Sequence, residues 1–545
     1  MNTKYSKIIY ILIGLLVLNY VGSRYYKRFD LTEDKRYTIS QATKTIVENI
    51  ENPLIIKVYL QGDFPTEFKR LKTETELHLA ELKALNKNIQ FRFINPANID
   101  QDLIKNGLEP SRLQIHENGK LSEIIIFPWA VVQYKNNTEK ISLLKDIFTN
   151  SQNQQLESSI QNLEYAFANA IHKISSKKSK KIAILKGNGE LDDIYIADFL
   201  KSLSQYYHLA PFTLDSVEKQ PQKTLHELTN FDLAIIAKPT EKFNDKEKFT
   251  LDQFIMNGGK TLWLIDNVNA ELDSLMNTGE TFAFPRDLGL TDLFFNYGLR
   301  INYDLITDLY SSEIPLATGN IGNQTQFNNF PWKYYPLVNS LNNHAINNNI
   351  EAVSLKFTNS IDTLRNNIQK TILLQSSPLS KPEAAPTIIS LKSIAKKPNP
   401  SNYTPGKLPI AILFEGKFKS AYFGRIKPFQ TTQKEIGTQT KMIVVSDGDI
   451  ISNAISKGQP LELGIDKWTN QRFGNKDFLL NCVSYLLDDT GLINIRSKTI
   501  KIDFLDKKKA FEEAGKWQLI NIVYPLLVLI IFGLIFKQIR KKKYQ

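Results

Sequence analysis

Residues 233–265 read LAIIAKPTEKFNDKEKFTLDQFIMNGGKTLWLI, and this stretch decides the fold class. A short apolar run at each end encloses a segment whose apolar residues recur at helical spacing. Asn244 and Glu247 form a capping-box signature at the start of that segment, and Gly258-Gly259 ends it. The pattern predicts a strand, a helix and a second strand, which is the repeating unit of a parallel α/β sheet.

The same alternation extends in both directions and outlines a doubly wound α/β domain. The predicted elements are strands 182–185, 233–237, 261–265 and 441–446 and helices 194–204, 246–256 and 475–487. Residues 270–439 are richer in Asn, Pro and Ser, and they contain strand-like runs at 370–374 and 408–414. We therefore predict a discontinuous domain, 181–269 plus 440–495, that carries a mixed, β-rich insertion at 270–439.

A separate α/β domain is predicted at 24–175. Residues 54–60, 64–85 and 89–94 have the patterns of a strand, an amphipathic helix and a strand. Runs at 123–127 and 130–134 have the pattern of a hairpin, and 153–174 has the spacing of a long helix. The Ser- and Lys-rich residues 175–181 are interpreted as the linker to the second domain.

Both ends of the chain are strongly apolar. Residues 519–536 carry no charge and are long enough to cross a bilayer, although a buried core helix is the alternative. Residues 8–21 are near the short limit for a span and also match the apolar part of a signal peptide. The poor cleavage site around Gly22 favours an uncleaved anchor. The predicted parts are an anchor at 1–23, a juxtamembrane segment at 496–518, a transmembrane helix at 519–536 and a basic tail at 537–545.

The basic tail predicts the orientation. Lys537 and the run Arg540 to Lys543 follow the second apolar segment, and the positive-inside bias places such a tail in the cytoplasm. Two spans then put both termini in the cytoplasm and the bulk of the chain in the periplasm of a bacterial inner membrane. Arg24, Lys27 and Arg28 lie on the predicted outer side and oppose this orientation.

Charge and cysteine content exclude several classes of function. The net charge is +12, but a good part of it lies in the terminal flanks, and the interior lysines alternate with acids. A solvated surface explains this distribution better than a nucleic-acid site, so no nucleic acid is expected as a partner. The single cysteine, Cys482, excludes an intramolecular disulfide and a cysteine-based metal cluster.

Candidate binding residues follow the predicted strands of the second domain. The loop Gly187, Asn188, Gly189 and Glu190 comes after its first strand, and Asp266, Asp447 and Asp449 come after two later strands. An α/β fold places ligands at the carboxyl ends of its strands, so these residues could form a cation or sugar site. Turn formation and helix capping explain the same residues.

The sequence shows no catalytic constellation. The segment 257–261 lacks the spacing of a phosphate-binding loop and precedes a strand. Cys482 lies within an apolar helical pattern, Ser446 lacks the glycine spacing of a nucleophile elbow, and the histidines lack metal-ligand spacing. We therefore expect no enzyme activity, no cofactor and no metal.

Three segments resemble a known family. Residues 30–40 (DLTEDKRYTIS), residues 249–260 (FTLDQFIMNGGK) and residues 473–478 (FGNKDF) are similar to the GldG family of gliding-motility-associated ABC-transporter auxiliary proteins. The resemblance implies a central domain of glutamine-amidotransferase-like or flavodoxin-like fold. It also implies an ABC-2-type permease and a cytoplasmic ATPase as partners, and a role in gliding of Bacteroidetes-type bacteria.

These observations favour a non-enzymatic, membrane-anchored accessory subunit that presents a periplasmic platform to an envelope or motility component. A ligand-binding subunit of the same transporter is one alternative. A hydrolase on an amidotransferase-like fold is the other.

Overall fold

The computed structural model describes residues 10, 12–20, 30, 38–62, 66–98, 100–117, 120–145, 152–275, 278–322, 324–339, 344–432, 434–498 and 507–544. The chain forms two compact units, Met1–Thr499 and Ile500–Gln545. The first contains all the described strands. The mixed α/β class that the sequence predicts is therefore confirmed.

The described residues between 38 and 175 contain a four-stranded sheet, a separate hairpin and four α-helices. The strands are β1 (Leu54–Val58), β2 (Ile89–Phe93), β3 (Ser111–Glu117), β4 (Lys120–Ile126), β5 (Trp129–Tyr134) and β6 (Asn137–Ser142), and the helices are α1 (Gln41–Glu48), α2 (Thr66–Leu85), α3 (Asp100–Lys105) and α4 (Gln152–Ser175). β1 and β2 run parallel on either side of α2 in the chain, as the sequence predicts. The sheet order is β2-β1-β5-β6.

The hairpin predicted for 123–127 and 130–134 is wrong. β4 pairs with β3, whereas β5 pairs with β1 and β6. The physical reason is burial: four of the six residues of β5 are buried. An inner strand of this kind has both edges occupied, so it has no edge left for β4.

The rest of the first unit contains one large sheet and several smaller ones. Its strands are β7 (Lys181–Lys186), β8 (His208–Thr213), β9 (Leu233–Ala237), β10 (Lys260–Leu264), β11 (Val268–Asn269), β12 (Glu280–Pro285), β13 (Leu299–Ile301), β14 (Asp304–Asp308), β15 (Ser311–Ile321), β16 (Gln324–Val338), β17 (Val353–Ser354), β18 (Ile361–Thr363), β19 (Gln369–Gln375), β20 (Ser380–Ala384), β21 (Thr387–Ser390), β22 (Pro409–Lys419), β23 (Ile436–Val445), β24 (Ile455–Ser456) and β25 (Gln459–Pro460). Its helices are α5 (Ala197–Ser204), α6 (Pro221–Leu228), α7 (Asp245–Met256), α8 (Thr291–Tyr297) and α9 (Asn475–Leu487).

The large sheet has seven strands in the order β19-β22-β23-β10-β9-β7-β8. The five strands from β23 to β8 are parallel, β22 runs antiparallel to β23, and β19 runs antiparallel to β22. Counted along the chain, the parallel strands have the order 2-1-3-4-5, which is the order of flavodoxin-type doubly wound sheets. Strands β19 and β22 come from the stretch 270–439, which the sequence assigns to an insertion, and they extend the sheet on one side.

Alternate residues of each strand enter two different cores, because successive side chains of a strand point to opposite faces. Ile182 and Ile184 of β7 pack with residues of α5 and α9. Ala183 and Leu185 pack on the other face with residues of α6, α7 and α8. Helices on both faces explain why β9 is buried at every position and reads as a continuous apolar run.

The remaining strands form smaller sheets around an aromatic core. β11, β12 and β21 form one sheet, β14 pairs with β20, and β15, β16 and β17 form another. Trp332, Tyr334 and Tyr335 of β16 pack against Phe357 in this core, with ring centroids 5.4–6.3 Å from that of Phe357. The region 268–394 is therefore a packed body beside the sheet, except for β19, which is a strand of that sheet.

The second unit contains α10 (Lys507–Glu512) and α11 (Ala514–Tyr544). Within the described residues, one helix is long and apolar enough to cross a membrane, Ala514–Lys542, and its most apolar 18-residue window has a mean hydropathy of 2.7. The predicted carboxyl-terminal apolar helix is thus confirmed, and it extends beyond 519–536 at both ends. Residues 12–20 are helical and exposed, but most of the predicted anchor lies outside the described residues, so that anchor stays a prediction.

Candidate functional site

The carboxyl ends of β9, β10 and β23 bring three predicted site residues together around one lysine. Lys238 follows β9, Asp266 lies two residues beyond β10, and Asp447 and Asp449 follow β23. Because these strands are neighbours in a parallel sheet, their carboxyl ends share one edge. The side chain of Lys238 is only 6% exposed at that edge.

The ammonium of Lys238 is surrounded by carboxylates. Its Nζ lies 2.7 Å from Oδ1 of Asp449, 2.9 Å from Oε1 of Glu271 and 3.8 Å from Oδ2 of Asp266. Asp447 is fully buried and accepts hydrogen bonds from the backbone N–H groups of Lys356 and Ile450 at 2.7 and 3.0 Å. Lysine thus supplies the positive charge that a bound cation would otherwise supply.

Burial and neighbouring charges shift the pKa values of Asp266, Asp447 and Lys238. Burial and the charge of Asp449 raise the pKa of Asp266 to about 7. Burial, together with the charges of Asp266 and Asp449, raises the pKa of Asp447 well above its ordinary value. Burial acts to lower the pKa of Lys238, but the carboxylates outweigh it and hold that pKa above the ordinary value. The lysine is therefore charged, and Asp447 ionises less readily than an ordinary aspartate.

Tyr335 of β16 faces the same cluster. Its side chain is 95% buried, and its hydroxyl has no hydrogen-bond partner among the described residues. Burial and the nearby charges of Asp449 and Glu271 raise the pKa of this phenol well above its ordinary value. Tyr335 therefore stays neutral, and the body formed by 268–394 covers this part of the edge.

The predicted loop Gly187, Asn188, Gly189 and Glu190 lies at the switch point between β7 and β9. The carbonyl of Asn188 accepts hydrogen bonds from the N–H groups of Thr240 and Glu241 at 3.0 and 2.9 Å. Gly187 and Gly189 adopt positive φ angles of 115° and 72°, which favour glycine. Backbone hydrogen bonds thus span the crevice in which doubly wound sheets bind ligands.

Glu190 and Glu247 flank the side chain of Asn188. The carboxylate of Glu190 accepts from the N–H of Asn188 at 2.8 Å, and the amide of Asn188 donates to Glu247 at 3.2 Å. Burial is the largest cause that raises the pKa of both carboxyl groups. Glu247 also closes the predicted capping box with Asn244, which the structure confirms. The loop and the cluster around Lys238 have no hydrogen bond or ion pair in common among the described residues.

The profile of the family described as "ABC-type uncharacterized transport system" matches residues 179–482, which is more than half of the chain. The chain belongs to this family. A second profile, a domain of unknown function, matches residues 33–133. A curated relative from Borreliella burgdorferi, titled "Uncharacterized protein", is 20% identical over 526 residues, 95% of this chain and 94% of the relative. The solved "mmIFT52 N-terminal domain" is 14% identical and covers 57% of this chain and 99% of that domain, but its TM-score of 0.33 supports no conclusion about the fold.

Two nucleophile candidates in this transport-system protein lie in the core. Cys482 is fully buried in α9, and burial raises the pKa of its thiol well above the ordinary value. The hydroxyl of Ser446 donates to the backbone carbonyls of Asn359 and Ile410. Neither geometry provides a partner base, and the described residues contain no group of three metal-ligating side chains.

One cavity of this protein lies away from both predicted sites. It has a volume of about 170 Å³ and lies between the end of α4, the 176–180 connection and the residues after α9. Tyr165, His172, Tyr206 and Tyr207 line it. Burial lowers the pKa of His172, so this imidazole is neutral at pH 7.

Sequence reasoning missed Lys238, Glu271 and Tyr335. The available signal for Lys238 was its position directly after the apolar run 233–237, at the edge where the aspartates were expected. No comparable local signal exists for Glu271 and Tyr335, because they reach the edge from the β-rich region.

Proposed function

We propose that this protein is a non-enzymatic accessory subunit of an ABC-2-type transport complex, anchored in the bacterial inner membrane and presenting a platform to its partners. The observation that carries the proposal is the closure of the sheet edge. Lys238 compensates the charges of Asp449, Glu271 and Asp266, and backbone hydrogen bonds span the switch point. Because this edge is closed, we expect the protein to contact its partners through its outer surfaces.

The partners that we propose are an ABC-2-type permease, a cytoplasmic ATPase and a further envelope component in a GldG-like role in gliding motility. The family assignment supports a transport system, and the apolar surface of Ala514–Lys542 supports a contact within the membrane. The basic residues that end this helix support a cytoplasmic carboxyl terminus and a periplasmic bulk.

Co-purification in a mild detergent tests the assembly. The full-length chain should retain a polytopic permease and an ATPase, and a variant without 519–545 should lose both. In a third variant, residues 519–536 are replaced by an unrelated apolar helix of equal length. If this variant retains the permease, the helix is only an anchor, and the proposed packing contact is wrong.

Cysteine labelling tests the orientation. Native Cys482 is fully buried, so a cysteine introduced at an exposed position gives the signal. Ser401→Cys should react with a membrane-impermeant thiol reagent added to spheroplasts, whereas Lys541→Cys should react only after the membrane is opened. The reverse pattern would contradict the proposed topology.

A ligand-binding subunit is the second candidate, and the cavity of about 170 Å³ is the observation that favours it. Its aromatic lining suits a small planar ligand. A thermal-shift screen with aromatic acids and monosaccharides should then raise Tm by mass action. His172→Phe should abolish that rise, whereas Asp449→Asn should leave it unchanged. A rise that depends on Asp449 would instead place the ligand at the sheet edge.

A further inference from the structure

The hairpin of β15 and β16 extends beyond the body that anchors it. At its base, Ile314 and Trp332 are buried in the aromatic core. In its outer part, every residue from Ala317 to Asn320 and from Thr325 to Asn329 is exposed. We name these two segments the arm. Phe327, which is 61% exposed, pairs across the arm with Ala317.

The arm carries no charge, and neither do the residues that flank it. No Lys, Arg, Asp or Glu occurs from Ile314 to Trp332, although charged residues make up 23% of the chain. Outside the carboxyl-terminal apolar segment, no other charge-free run in the sequence is as long. The arm contains Asn, Gln and Thr instead, which present both hydrogen-bond donors and acceptors.

Both outer edges of the arm lack a neighbouring strand. Among the described strands, β15 pairs only with β16, and β16 pairs with β17 only at Leu337 and Val338. Proteins usually protect exposed strand edges with charged side chains, and a two-stranded ribbon is only marginally stable in water. An uncharged ribbon with open edges is therefore suited to accept a further strand.

We propose that the arm pairs edge to edge with the arm of a second copy of this chain. Charge is the argument for this occupant. A twofold, antiparallel contact places each residue beside a copy of itself or of a near neighbour, so any charge in the arm would meet a like charge. The arm has no charged residue, so two copies of it meet without such repulsion.

The side chains of the arm also suit a self-complementary contact. The amide of Asn328 already donates to the hydroxyl of Thr318 across the hairpin at 3.1 Å. Asn and Gln side chains on neighbouring copies can form the same kind of bond, because each contains both a donor and an acceptor. The contact rests on the arm alone and does not depend on the proposed transport function.

Charge substitutions test the contact in the full-length chain. Gln326 and Asn328 lie on the same face of β16, two residues apart. The double variant Gln326→Glu with Asn328→Glu, and the double variant Gln326→Lys with Asn328→Lys, each place like charges against each other in the paired arms. Light scattering in detergent, corrected for the micelle, should give a dimer for the wild type and a monomer for each variant. An equimolar mixture of the two variants should regain the dimer, because opposite charges then meet.

The control variant carries Gln41→Glu with Gln90→Glu, two exposed positions outside the arm, and should remain dimeric. A wild type that stays monomeric at the highest concentration tested would overturn the proposal. So would dimers that persist in both charge variants, or folded variants that fail to associate when mixed. Circular dichroism of each variant establishes that it is folded.

Discussion

Replacing Lys238 with methionine should destabilise the first unit by about 3 kcal/mol, because it leaves several buried carboxylates without their cation. Loss of one partner of a buried ion pair costs about 3–5 kcal/mol. The lower end applies here because Glu271 is 42% exposed and can turn towards water. Methionine has a similar apolar length to lysine, and at this φ of 54° it replaces one non-glycine residue by another. The loss of stability therefore reports the loss of the charge.

The effect should grow with pH. Without the ammonium, the pKa of Asp266, already raised to about 7, increases further. A carboxyl whose pKa is higher in the folded state contributes stability that is complete below its unfolded pKa, about 3.9, and is lost as the pH rises through the folded pKa. The variant should therefore lose more stability relative to the wild type at pH 8 than at pH 5.

Lys242→Met is the matched control. Its Nζ lies 2.5 Å from Asp287, but the two side chains are 64% and 65% exposed, so solvent screens the pair and its loss should change stability little. Urea unfolding of the full-length chain in detergent can be followed by tryptophan fluorescence, since Trp263 and Trp332 are fully buried in the first unit. If Lys238→Met destabilises no more than the control, or equally at both pH values, Lys238 is not the counter-ion of the cluster.

Three further predictions concern buried groups. Asp266→Asn removes a carboxyl whose pKa is raised to about 7. The unfolding free energy should therefore fall less between pH 4 and pH 7 than it does in the wild type, by at most about 4 kcal/mol, as measured by urea unfolding at a series of pH values. The carboxylate of Glu164 accepts a hydrogen bond from the N–H of Ser40 at 2.7 Å and pairs with Lys498 at 3.2 Å. Glu164→Gln removes this charge, so hydrogen exchange near Ser40 should accelerate and stability should fall by about 1–3 kcal/mol. The thiol of Cys482, 0% exposed, should react with a thiol reagent only at urea concentrations that unfold the first unit.

The convergence of the aspartates could be predicted from the sequence because it depends on local patterns and one general rule. The apolar runs 261–265 and 441–446 identify two strands, and parallel neighbours have their carboxyl ends at one edge. The structure pairs these strands in parallel up to Leu264 and Val445, so Asp266 and Asp447 lie close together. The capping box of α7 was equally local, since its two residues are three positions apart.

The sequence could not reveal which residues of the β-rich region join those aspartates. Glu271 and Tyr335 reach the cluster through long-range pairing in the region 268–394, and periodicity within a short window carries no information about such pairing. The hairpin predicted at 123–134 is incorrect because β4 pairs with β3 before it, whereas β5 pairs with β6 after it and with the distant β1. The same limit of short-window periodicity explains why β19 and β22 were not assigned to the large sheet: their partners are set by burial in the folded chain.

The charge distribution separates the part of the chain that maintains the fold from the part available for contacts. At the sheet edge, an ammonium and its carboxylates satisfy one another, so substitutions there should change the free energy of unfolding and leave association intact. In the arm, the exposed residues contribute little to the core, so charges placed there should change association and leave unfolding nearly unchanged. A ligand site at the sheet edge would predict the opposite for Lys238→Met, namely a change in binding that exceeds the change in stability. Measuring both quantities on Lys238→Met and on the Gln326 and Asn328 variants therefore distinguishes a structural charge cluster from a binding site.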